Sequence, residues 1–113
     1  MIKKRVRIIT FQILNGQTTS SEIDISNLSV YGISTPAALT GTTITFSAAA
    51  GRNGTFQTVY GDDGTAISIT VAASRYVALN NKHIALRGVQ FLKVISGSSE
   101  GADRTLYLHC VEE

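Results

Sequence analysis

The stretch FSAAAGRNGTFQTVYGDDGTAISITV, Phe46 to Val71, decides the fold. Two turn signals, Gly51-Arg52-Asn53-Gly54 and Gly61-Asp62-Asp63-Gly64, cut it into three short segments. Asn-Gly and Asp-Gly pairs tolerate the positive φ that tight hairpins demand. The last segment alternates Ile67, Ile69 and Val71 with Ser68 and Thr70. A period of two sends one set of side chains into a core and the other outward. The middle segment is less regular. As a strand it puts Phe56, Thr58 and Tyr60 on one face and Gln57 and Val59 on the other, and it rests more on β-propensity and flanking turns. On that shared face Tyr60 is expected at the rim of the core. The whole stretch predicts three strands joined by two hairpin turns, a meander or part of a Greek key.

The same period continues outward in both directions. Ile23 and Ile25 alternate with Glu22 and Asp24, Ile44, Phe46 and Ala48 with Thr43, Thr45 and Ser47, and Leu106, Leu108 and Cys110 with Tyr107 and His109. Further turn signals stand at Asn15-Gly16, Asn80-Asn81 and Ser96-Gly97. Strands are predicted near 5–14, 22–26, 29–35, 42–48, 55–60, 66–71, 75–79, 90–96 and 104–111. Segment 80–89 alternates weakly and reads as a helical turn or loop, and 96–103 as a mobile loop. No sustained period of 3.6 occurs. A chain of 113 residues is one domain, 1–113. Eight to nine short strands with regular turns predict an all-β fold, an antiparallel, jelly-roll-like β-sandwich.

Composition narrows the function classes. The single cysteine, Cys110, allows no intrachain disulfide, so a disulfide-framed secreted module is excluded. The start MIKKRVRIITFQILNG mimics a signal peptide, but Thr10 and Gln12 interrupt its apolar part. No run approaches the roughly 20 apolar residues of a membrane helix, so no membrane partner is expected. Net charge is only +2, yet Lys3, Lys4, Arg5 and Arg7 crowd the first seven residues. Four charges without a stacking platform are a weak nucleic-acid signal, and the plainer reading is a solvated strand edge or a frayed terminus, where lysines also discourage unwanted strand pairing.

Chemistry is hard to assemble from these residues. Cys110 continues the apolar series of its strand, and His109 beside it points to the opposite face, so the two cannot form a nucleophile–base pair. No pair among His83, His109, Cys110 and the aspartates has a zinc spacing, and GDDGT lacks the further acidic ligands of a calcium loop. GRNGT has no lysine and no following helix to cradle a phosphate. The reading is a non-enzymatic protein with no cofactor and no metal. Four tyrosines, Tyr31, Tyr60, Tyr76 and Tyr107, and no tryptophan leave a sugar-binding module as the alternative. Tyr31, Tyr76 and Tyr107 could be exposed, but they do not cluster in sequence, and the default is a core-edge tyrosine whose ring buries while its hydroxyl reaches water.

One run asks for a further explanation. Ile25 to Gly51 carries no charged side chain. Ile33, Ile44 and Phe46 are ordinary core. The outward Thr43, Thr45 and Ser47, with Ala37, Ala38 and Leu39 in the turn after Pro36, also avoid charge. Depletion of charge marks interface centres, so these six are candidate interface residues, with chance in a Thr-rich strand as the alternative.

The order of motifs resembles a group of small tailed-bacteriophage virion proteins. It is carried by VYGISTPAALTGTTITFSAA, then TVYGDDGTAISITVAASRYVALN, then LRGVQFLKVISGSSEGADRTLYLHC, across roughly residues 20–110. The resemblance implies a β-sandwich serving as a structural virion component, with no catalytic residues. Within that group it favours a capsid decoration (cement) protein on the capsid surface, made in the host cytoplasm. Its partners would be the major capsid protein and copies of itself, commonly as a homotrimer. Tail, collar and head-fibre parts are the alternatives. The basic start, with Lys3, Lys4, Arg5 and Arg7, lies outside the matched part and joins the candidate interface as an arm, residues 1–7, that orders on the shell.

Overall fold

The computed structural model describes residues 4–113. Nine strands run along the described residues: β1 (Val6–Ile13), β2 (Ile23–Asp24), β3 (Leu28–Ser34), β4 (Thr43–Ala49), β5 (Gln57–Thr58), β6 (Ser68–Thr70), β7 (Tyr76–Ala78), β8 (Phe91–Ser96) and β9 (Arg104–Glu112). A 3₁₀ helix, Asn80–Leu86, fills the segment that alternates weakly. The predicted strands are present, and the short ones shrink to the two or three residues that pair.

The strands form two antiparallel sheets. The first has the order β1-β9-β3-β7, and the second β2-β8-β4-β5, with β6 also on β4. From β1 to β4, and again from β6 to β9, successive strands cross from one sheet to the other, so the two ends of the chain lie side by side as β1 and β9. That alternation gives the sandwich its jelly-roll-like connectivity. The core fills the space between the sheets. Phe11, Ile13, Ile33, Leu106 and Leu108 come from the first, and Ile44, Phe46, Leu92 and Val94 from the second; all are buried. Full burial of each contributes roughly 1.5–3 kcal/mol.

The deciding hairpin differs in one respect from its predicted form. β4 turns back through Gly51–Gly54, with Asn53 at φ 57°, and pairs with β5. β6 does not extend the sheet beyond β5. It returns to β4, where Thr43, Ile44 and Thr45 face Thr70, Ile69 and Ser68. Both residues of β5 are exposed, because TFQTVY has no apolar face to hold a full strand against the core. Tyr60 is correspondingly 62% exposed and not at the core rim.

A second difference concerns the loop read as mobile. Glu100 is 1% exposed and anchors it. Its carboxylate accepts hydrogen bonds from the Thr40 and Gly41 amides at 2.8 and 2.9 Å and from the Ser96 hydroxyl at 2.8 Å. The Arg104 guanidinium completes the set at 3.0 Å. The charge-free run therefore does hold a charge, supplied from the other end of the chain. Burial pushes this carboxyl up, but the four donors outweigh it and bring its pKa down to about 2.

β3 carries a bulge. Val30 faces Cys110 and Gly32 faces His109, leaving Tyr31 as the extra residue. The bulge keeps Val30 and Ile33, three positions apart, both in the core, and it places Tyr31 and Gly32 together on the outer side.

Candidate interaction surface

The outer face of the first sheet is apolar and aromatic. On β1 it presents Val6 and Ile8, and on β9 Tyr107, His109 and Val111, the partners in register being Val6 with Val111, Ile8 with His109 and Thr10 with Tyr107. β3 adds Tyr31 and Ser34, and β7 adds Tyr76, which faces Ser34. Val6, Ile8, Tyr31, Tyr76 and Tyr107 are each at least 40% exposed.

Two of the tyrosine rings on this face pack against histidines. Tyr31 stacks on His83 of the 3₁₀ helix at 4.5 Å between centroids. Tyr76 meets His109 edge-on at 4.8 Å. His109 Nε2 also shares a hydrogen bond with the Ser34 hydroxyl. Gly32 makes the arrangement possible, because a Cβ there would lie 2.2 Å from the Tyr76 hydroxyl oxygen. Between the rings runs an open groove of about 520 Å³, whose lining includes Lys4, Val6, Tyr31, Tyr76, His109 and Cys110.

Of the described residues singled out from the sequence, Lys4 lines this groove, and the others lie elsewhere and do not come together as one patch. Thr43, Thr45 and Ser47 sit on the outer face of the second sheet, beside Thr70, Ser68 and Thr58. Thr43 is exposed, Thr45 half-buried and Ser47 buried. Lys93, the neighbour of Ser47 on β8, reaches over the Phe56 ring at 4.4 Å. Ser47 thus avoids charge because it is covered. Ala37 and Ala38 are exposed in the β3–β4 loop, while Leu39 packs against the core. Lys3 lies outside the described residues. Lys4 and Arg5 are exposed ahead of β1, where the Arg5 carbonyl already accepts a bond from the Glu112 amide at 2.9 Å. Arg7 belongs to β1 and pairs with Glu112 at 3.1 Å.

Among the described residues no three His, Cys, Asp or Glu side chains lie together as a metal site. Cys110 is buried, and burial raises its thiol to about 11 against the opposing charge of Arg7. Such a thiol is not a nucleophile at neutral pH. No helix among the described residues is long and apolar enough to cross a membrane.

The tyrosine face escaped sequence reasoning for a topological reason. Tyr31, Tyr76 and Tyr107 are dozens of residues apart, and only the strand order β9-β3-β7 makes them neighbours. The available signal was local: Val6 and Ile8, and Tyr107 and His109, are the outward members of their strands.

The sequence matches no protein-family model and no curated protein. Among solved structures, the crystal structure of the SPBc2 prophage-derived protein YomS superposes with a TM-score of 0.57 at 15% identity, over 99% of each chain. That likeness is one of fold. A disulfide-linked pilus protein of Bacillus endospore appendages aligns over 99% of this chain and 93% of its own at 17% identity, with a TM-score of 0.37.

Proposed function

We propose that this chain is a non-enzymatic structural protein of a tailed-phage particle, a decoration protein that docks on the head shell through the outer face of its first sheet. The observation that carries the reading is the exposed band of Val6, Ile8, Tyr31, Tyr76 and Tyr107. Aromatic side chains are enriched as anchors of protein–protein contacts, and charge is scarce at such centres. The motif order of the sequence and the fold shared with a prophage-derived protein support the particle context. The partner is the major capsid protein, and the site of action is the capsid surface.

Undecorated heads of the parent phage, mixed with the purified chain and sedimented, should carry it to a saturable occupancy. Tyr107→Lys should lower that occupancy by at least tenfold, because a desolvated ammonium in an apolar contact is costly. Absence of the chain from the head shell in a cryo-electron map of the purified particle overturns the reading.

The clustering of Tyr31, Tyr76 and Tyr107 also favours a second reading, a sugar-binding face. Ring geometry weakens it, since Tyr31 already stacks on His83 and Tyr76 already abuts His109. A glycan array separates the two: specific binding that Tyr76→Ala abolishes would favour the sugar, and no binding the shell.

A further inference from the structure

The four sheet edges of the sandwich are unequal. β2, β5 and β7 have two, two and three residues, and β6, beside β5, has three. Very short strands are a common way to blunt an edge against unwanted pairing. β1 is the exception. It has eight residues, has β9 as its one strand neighbour among the described residues, and contains no proline and no register shift. Its single charge, Arg7, is engaged by Glu112.

The bonding pattern says which main-chain groups the free edge offers. The Glu112 amide donates to the Arg5 carbonyl, so Arg5 and Glu112 form a hydrogen-bonded pair. Such pairs recur at every second residue in an antiparallel ladder. Arg7, Ile9, Phe11 and Ile13 therefore bond to β9, and Val6, Ile8, Thr10 and Gln12 turn their N–H and C=O groups outward. All four are exposed.

We propose that two copies of this chain pair edge to edge through β1, antiparallel about a two-fold axis at Ile9, fusing their first sheets into one. The occupant of such an edge must be an extended strand, and β1 is complementary to itself. In this register Val6 faces the partner's Gln12 and Ile8 faces the partner's Thr10, so every outward main-chain group of the four residues is used. The antiparallel sense also sets the basic starts of the two copies at opposite ends of the shared ladder, whereas a parallel pairing would stack them. Val6 and Ile8 of both copies then join their two aromatic faces into one surface. The pairing needs no shell, and it holds or fails independently of where the protein acts.

The test uses the isolated full chain. Size-exclusion with light scattering across a concentration series should give twice the 12.1 kDa chain mass. Hydrogen exchange should find the amides of Ile8 and Thr10 slowed at least a hundredfold relative to an unpaired edge. Thr10→Pro removes an outward donor without touching the ladder to β9, and should return a folded monomer. If that variant does not fold, Ile8→Lys supplies the same readout from an exposed side chain. A wild type that stays monomeric, forms a trimer, or dimerises with fast edge amides overturns the proposal, as does an unchanged dimer in the folded variants.

Discussion

Glu100 shows how much one residue can carry without announcing itself. In sequence it is an acid in a Ser- and Gly-rich loop, and such loops usually read as mobile. What makes it structural is invisible there: two backbone amides from Thr40 and Gly41, sixty positions away, converge on its carboxylate. Removing its charge leaves Arg104 without its partner, and Glu100→Gln is expected to cost roughly 2–4 kcal/mol in chemical denaturation. The pH dependence has a definite sign. The folded carboxyl titrates near 2 against an ordinary 4.5, so its contribution is complete above about pH 4.5 and is lost as pH falls toward 2. Wild type should therefore lose stability along that limb, on the order of 3 kcal/mol, and Glu100→Gln should be flatter there. Equal acid limbs would show that the group is not stabilised as described. Gly41→Ala should mimic the loss, since its Cβ would sit 2.0 Å from the Ser96 hydroxyl that donates to Glu100.

At the level of elements, the period of two located the strands because burial on one face is a local property. Leu106, Leu108 and Cys110 alternate in the sequence and are buried in β9 as they alternate. Two features broke that correspondence. β5 is short because its residues have no apolar face, and β3 changes parity at its bulge, so Val30 and Ile33 are both buried. A bulge is one residue of excess relative to a partner strand, and the partner's register is not written locally. Deleting Tyr31 should restore regular alternation, with Val30 and Ile33 still inward and Gly32 still outward. The deletion also loses the bond from the Leu79 amide to the Tyr31 carbonyl, 2.9 Å long. The expected cost is about 1–2 kcal/mol, with a cooperative thermal transition retained. Loss of cooperative unfolding would mean that the extra residue is needed for the sheet itself.

The molecule as a whole has two outer faces of different character, and this contrast was the least legible part. Both are built of outward members of alternating strands, but which strands adjoin depends on contacts between distant parts of the chain. The second sheet presents hydroxyls, with Thr43, Thr45, Ser68 and Thr70 side by side around β4 and β6. The first presents Val6, Ile8, Tyr31, Tyr76 and Tyr107. Charge depletion alone pointed to the hydroxyl face, because neutrality is visible along a contiguous run whereas an aromatic cluster is assembled by topology. Energetics rank them the other way. Threonine and serine bury little apolar surface and pay desolvation for each hydroxyl, while a tyrosine ring offers up to 150–250 Å² with one polar tip. Two single lysines decide between the faces. Thr45→Lys, in mid-face on the second sheet, should fold and leave shell occupancy within twofold of wild type, because its aliphatic stem can lie along Ser68 and Ile95 and its ammonium can reach water. Tyr107→Lys should fold equally well, being exposed, and lose occupancy at least tenfold. Sedimentation of heads with each variant, after circular dichroism establishes folding, gives the comparison. If Thr45→Lys is the variant that fails to bind, docking belongs to the hydroxyl face, and the tyrosines are left for a different partner.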